Sequence, residues 1–137
     1  MIRSALAVFA GIVVLTVASF AIEAVANPLL MKLFPNALPN AAAMIHNVPA
    51  RIFMLVYTML CVAAGGYVTA WVARGSEIRH AVIMGAIEAV FTIAAMLGLP
   101  GQAPTWSWIA AIVLTIPAAW FGGSVRARGS IQRAGPR

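Results

Sequence analysis

An all-α membrane protein, folded as an antiparallel bundle of four transmembrane helices, is the fold class that three features of this sequence predict. The 137 residues are 63% hydrophobic and only 9% charged, where a soluble domain carries roughly 25% charged residues. Four stretches reach the length of about twenty residues that ~30 Å of hydrocarbon demands at ~1.5 Å per residue. The basic residues divide unevenly between the two sides that such spans define. Strands fit poorly, because the runs are long, rich in Ala, Leu and Met, and lack two-residue alternation.

The spans follow in order. Residues 4–26 open with an uncharged run between Arg3 and Glu23; residues 51–73 are wholly uncharged after Arg51. Residues 81–99 are interrupted only by Glu88, and residues 106–125 carry no charge. The first connection, residues 27–50, contains Pro28, Pro35, Pro39 and Pro49 and is expected to be irregular. Its piece Leu29-Leu30-Met31-Lys32-Leu33-Phe34 reads as a short amphipathic turn at the interface. The second connection, Arg74 to His80, is short and charged. The third, Pro100 to Thr105, is short and uncharged, with prolines that end one helix and precede the next. Residues 1–125 thus form one transmembrane domain. Residues 126–137 form a basic cytoplasmic tail with four arginines, expected to be disordered and to attract anionic lipid by roughly 1 kcal/mol per base.

Charge sets the expected orientation. Arg3, Arg74, Arg79, Arg126, Arg128, Arg133 and Arg137 fall on one side, and Lys32 and Arg51 on the other. Seven bases against two place both termini in the cytoplasm. Trp106 and Trp108 then anchor the outer interface, and Trp71 and Trp120 lie near the inner one. A cleaved signal peptide is the competing reading of residues 1–26, since Ala24-Val25-Ala26 has the small-x-small form of a cleavage site. Its apolar stretch is longer than the usual 7–15 residues or so, and Glu23 stands just before the site. The formal charge of +6 comes from bases scattered along the chain, with no basic-and-aromatic groove pattern, which argues against nucleic acid. The single cysteine, Cys61, reads as a small buried hydrophobe.

Three short motifs carry a resemblance. They are Gly65-Gly66-Tyr67-Val68-Thr69-Ala70-Trp71-Val72-Ala73, Pro104-Thr105-Trp106-Ser107-Trp108, and Ile116-Pro117-Ala118-Ala119-Trp120-Phe121-Gly122-Gly123. With the proline-rich first connection they make the chain similar to a broad group of small bacterial four-helix inner-membrane proteins that have no assigned activity. The resemblance implies the four-helix fold and the bacterial inner membrane as the compartment. It implies no catalytic residue.

Carboxylates inside hydrocarbon are costly, so Glu88 and Glu23 are the first candidates for function. Counting in from the span ends places Glu88 about eight residues deep, within a turn of Gly11, Gly65, Gly66, Tyr67, Thr115 and Pro117. Glu88, Tyr67 and Thr115 form the candidate intramembrane polar site. Glu88 is read as a neutral, hydrogen-bonded packing group, as a proton- or cation-handling carboxylate, or as a partner-binding group. Glu23 and Arg51 form a candidate ion pair at the outer interface. Gly11, Gly65, Gly66, Gly122 and Gly123 are expected to let helices approach closely.

Ala21-Ile22-Glu23-Ala24-Val25 recurs as Ala86-Ile87-Glu88-Ala89-Val90, with prolines at equal offsets after each copy. Gly65-Gly66-Tyr67-Val68-Thr69-Ala70 parallels Gly122-Gly123-Ser124-Val125-Arg126-Ala127. A duplicated helical hairpin explains both matches, provided the first helix runs on past Pro28.

His46 and His80 lie 34 residues apart without Cys or Asp near either, so no metal site is expected. No serine sits in a Gly-x-Ser-x-Gly setting, and no glycine-rich loop carries a phosphate-binding lysine. Neither catalysis nor a cofactor is expected. The leading functional expectation is a structural or accessory membrane protein that binds lipid and other membrane components, as a homo-oligomer or with a membrane-protein partner. The alternative is an oligomeric small-solute or proton-coupled transporter that uses Glu88.

Overall fold

A computed structural model describes residues 2–73 and 76–134. Five helices follow one another: α1 (Ile2–Leu33), α2 (Ala41–His46), α3 (Val48–Ala73), α4 (Glu77–Gly98) and α5 (Thr105–Ala134). Among the described residues there is no strand. α1, α3, α4 and α5 are each long and apolar enough to cross a membrane, and the chain is a multi-pass membrane protein on that basis. Their outer surfaces are apolar, with Phe20 68%, Leu60 66% and Leu97 77% exposed. Such side chains find their solvent in acyl chains.

The four long helices form an antiparallel bundle. α1 and α4 run from the end that carries the termini toward the opposite end, here termed the loop end; α3 and α5 run back. α3 packs against all three others, α5 lies against α3 and α4, and α1 touches α4 less extensively than it touches α3. The centre is filled by Val62, Thr69, Met84 and Thr115, each at most 2% exposed.

Helix contacts concentrate where side chains are absent. A Cβ placed on Gly65 would lie 2.7 Å from the Gly11 carbonyl oxygen and 3.1 Å from Leu15 Cβ, and one on Gly11 would strike Thr69 Oγ1. At the α3–α5 crossing the arrangement is reciprocal: Gly66 lies on the Ala119 carbonyl and Gly122 on the Ala63 carbonyl. Gly123 packs on Ala81, 2.6 Å from its Cβ by the same measure, and Gly85 on Ala119 at 2.7 Å. Gly85 was not among the glycines expected at crossings.

Three elements depart from expectation. The first span does not stop near residue 26 but continues through Pro28 to Leu33. Proline removes one helix hydrogen bond. Packing of Leu30 and Met31 against Leu38, Met44 and Ala50 offsets that loss. The Leu29–Leu33 piece is thus the last turn of α1, not a separate interfacial turn, and Phe34 follows it with an N–H bonded to Leu30 O at 2.9 Å. The first connection is also partly regular: Asn40 caps α2 by accepting the Ala43 N–H at 2.9 Å.

The basic tail is the third correction. Residues 126–134 are helical as the end of α5, not disordered, while residues 135–137 lie outside the described part. A helix already nucleated in the bundle propagates through the residues that follow at little further cost. Smaller shifts extend α3 back to Val48 and α4 back to Glu77.

The glycine contacts make a direct prediction. Gly122→Ala must push α5 off the Ala63 carbonyl, and should cost about 1–3 kcal/mol. Gly129→Ala, with nothing within 4 Å, should be neutral or stabilising by up to about 1 kcal/mol. Thermal unfolding of both variants in one detergent checks the contrast.

Candidate functional site

Two helix starts and one helix side meet at the loop end. Asn47 accepts the Ala50 N–H at 3.0 Å, which starts α3 at Val48 and puts Arg51 in its first turn. α4 ends at a tight turn in which Gln102 N–H bonds to Leu99 O at 3.4 Å, with Pro100 second and Gly101 third. The third position needs positive φ, which Gly101 supplies at 86°. Pro104 then offers its carbonyl to the Ser107 N–H at 3.0 Å, opening α5.

Between these starts and α1 lies a cavity of about 360 Å³. Its polar lining includes Glu23, Arg51, Tyr57, Thr58, Gln102 and Ser107, and Trp108 forms part of the wall. Arg51 donates to Ser107 Oγ at 3.4 Å and to Met54 Sδ at 3.6 Å. Ser107 Oγ in turn donates to Pro104 O at 2.9 Å. Deeper in, Tyr57 Oη donates to Glu23 Oε1 at 3.1 Å. The Phe53 ring meets the Tyr57 ring edge-on, centroids 5.7 Å apart, and so helps hold the phenol against α1.

Glu23 and Arg51 therefore line one cavity, as neighbours, yet each is bonded to a different partner: Tyr57 for the carboxylate and Ser107 for the guanidinium. Neither Tyr57 nor Ser107 was singled out from the sequence. The available signal was their chemistry, hydroxyls interrupting apolar runs, and it was diluted by Thr58, Thr69 and Thr92 of the same kind.

Glu88, Tyr67 and Thr115 occupy three different settings. Glu88 is half-buried, Tyr67 is 41% exposed on the outer surface of α3, and Thr115 is 2% exposed in the centre. Thr115 Oγ1 donates to Ala111 O at 2.7 Å within its own helix. Among the described residues no hydrogen bond joins the three, and the Glu88 carboxyl has no hydrogen-bond partner. Register places its level. Gly65 packs on both Leu15 and Met84, so one turn toward the loop end Cys61, Ser19 and Glu88 share a depth. Cys61 is buried there, and the Ser19 hydroxyl is buried without a partner. Glu23, level with Tyr57, lies about one turn nearer the loop end than Glu88. The two Ala-Ile-Glu-Ala-Val copies are thus offset by a single turn, and α1 does run past Pro28.

The Tyr57–Glu23 bond is testable by a double-mutant cycle. Tyr57→Phe alone should lower stability by about 1 kcal/mol, and in a Glu23→Ala background its cost should fall close to zero. Equal costs in both backgrounds would show that the bond contributes nothing.

Compared with protein-family models, curated proteins and solved structures, the chain finds no match in any of the three.

Proposed function

We propose that this chain is a structural or accessory protein of the bacterial inner membrane, binding lipid and other membrane components rather than catalysing a reaction. The observation that carries the reading is the filled bundle centre. Val62, Met84, Thr69 and Thr115 fill the centre among the described residues, and the two threonine hydroxyls are already bonded to carbonyls of their own helices. A surface of exposed Leu, Phe, Val and Ile on every long helix suits contact with lipid or with a membrane partner. The inner membrane as compartment rests on the resemblance of the glycine and tryptophan motifs. The cytoplasmic placement of both termini rests on the seven-to-two division of bases.

A second reading, a proton-coupled transporter acting as an oligomer, is favoured by one feature. The Glu88 carboxyl stands half-buried at the depth of the unpartnered Ser19 hydroxyl, with no hydrogen bond of its own. Intramembrane carboxylates of this kind handle protons in many pumps and carriers.

Glu88→Gln separates the two. In an accessory protein the substitution changes stability by about 1 kcal/mol or less and leaves proton flux into reconstituted liposomes at the protein-free level, as for the unaltered chain. A pH-driven flux that the unaltered chain supports and Glu88→Gln abolishes overturns the accessory reading. Topology has its own check. In a Cys61→Ala background, Ser76→Cys should react with a membrane-impermeant thiol reagent only after the cells are opened. Labelling of intact cells would invert the orientation.

A further inference from the structure

The cavity at the loop end contains a guanidinium that its own protein leaves largely unused. Arg51 has five N–H donors in a planar fork, and two of them reach weak acceptors, a thioether at 3.6 Å and a hydroxyl at 3.4 Å. The remaining donors have no partner among the described residues. The nearby carboxylate, Glu23, is engaged by Tyr57 instead. Arg51 is half-buried, so water compensates it less than it would a surface arginine. This half-buried cation faces a cavity of about 360 Å³ in which, among the described residues, it makes no ion pair, the carboxylate of Glu23 accepting from Tyr57 instead.

We propose that this cavity binds a phosphate group, held by the Arg51 fork and the Ser107 hydroxyl. Three observations support the assignment: the first two call for an oxyanion, and the third, the depth, favours phosphate. The guanidinium fork matches phosphate oxygens two at a time. Arg51 and Ser107 both stand in the first turns of helices that run side by side in the same direction, so the positive ends of α3 and α5 face the same space. The depth is that of headgroups: α3 has 26 residues, about six more than the hydrocarbon needs, which puts its fourth residue near the boundary. Trp106 and Trp108, at the same end, belong to that boundary as well. Phosphate arrives there in two forms, as the phosphodiester of a phospholipid or as a soluble phosphate. Glu23 Oε2 and Thr58, deeper in the wall, offer polar contacts to whatever the phosphate carries inward.

The proposal deepens the reading of the chain as a binder of membrane components, and it stands or falls separately from the flux result for Glu88. The test uses delipidated full-length protein in a neutral detergent, titrated with phosphatidylglycerol and followed by native mass spectrometry. A parallel titration with inorganic phosphate is followed by tryptophan fluorescence, to which Trp108 in the cavity wall contributes. One saturable phospholipid is expected per chain, weakened at least about tenfold by Arg51→Gln and less by Arg51→Lys, which keeps the charge but not the fork. Arg128→Gln, on the far end of α5, should bind as the unaltered chain does. Saturation by inorganic phosphate alone, again dependent on Arg51, supports the site and assigns it a soluble ligand. Ser107→Ala, which deletes one hydroxyl, serves where Arg51→Gln fails to fold, and should weaken binding several-fold. Binding of both probes that is indifferent to Arg51 and Ser107 overturns the proposal.

Discussion

Hydrocarbon offers no hydrogen bond to a peptide group, and it is as apolar as a leucine side chain. The first property forces each crossing segment into a helix that satisfies its own backbone. The second removes the hydrophobic drive that holds helices together in water, leaving close packing to do so. In this chain the second constraint is met at a few glycines. Gly11 with Gly65, Gly66 with Ala119, Gly122 with Ala63 and Gly123 with Ala81 bring backbones near enough that a methyl group would collide. Each such approach multiplies dispersion contacts that individually contribute only ~0.1–0.2 kcal/mol.

The same environment governs the hydroxyls. Thr69, Thr92 and Thr115 each donate to the carbonyl four residues back, and Ser107 and Ser124 to the carbonyl three back. This internal bonding removes polarity from the helix contacts without needing a second helix. It also isolates the groups for which no such bond exists. The Ser19 hydroxyl and the Glu88 carboxyl lie at one depth in mid-bundle, Asn27 Oδ1 and Glu77 Oε2 are buried without partners elsewhere, and a cluster of polar groups lines the cavity at the loop end.

The loops determine why the cavity exists. Asn47 and Pro104 start α3 and α5 at nearly equal heights, while the turn over Pro100 and Gly101 holds Gln102 and Ala103 above them. α1 contributes Glu23 from across the gap. Packing of Leu38 and Met44 on Ala50, Leu30 and Met31 stabilises the long first connection beside α3. The glycine crossings lie below, toward the termini, so helices that touch closely there leave room at the loop end.

The number of spans and the all-helical fold were legible in the sequence because they follow from composition and length alone, whereas Gly85 at its crossing with Ala119 was not. The Pro100 and Pro104 break was legible for the same reason: proline acts locally. What sequence reasoning missed was contact. Glu23 and Arg51 were expected to pair; they line one cavity but bond to Tyr57 and Ser107 instead, partners that depend on which face each helix turns inward. In a soluble helix an apolar stripe reveals that face; these helices are apolar on every side, so lipid-facing and core-facing residues look alike. The continuation of α1 past Pro28 and of α5 through Arg126 likewise required tertiary structure, since local propensity was outweighed by packing in one case and by propagation from an existing helix in the other. Hydropathy sets how many helices cross; only their rotation and register decide which side chains meet.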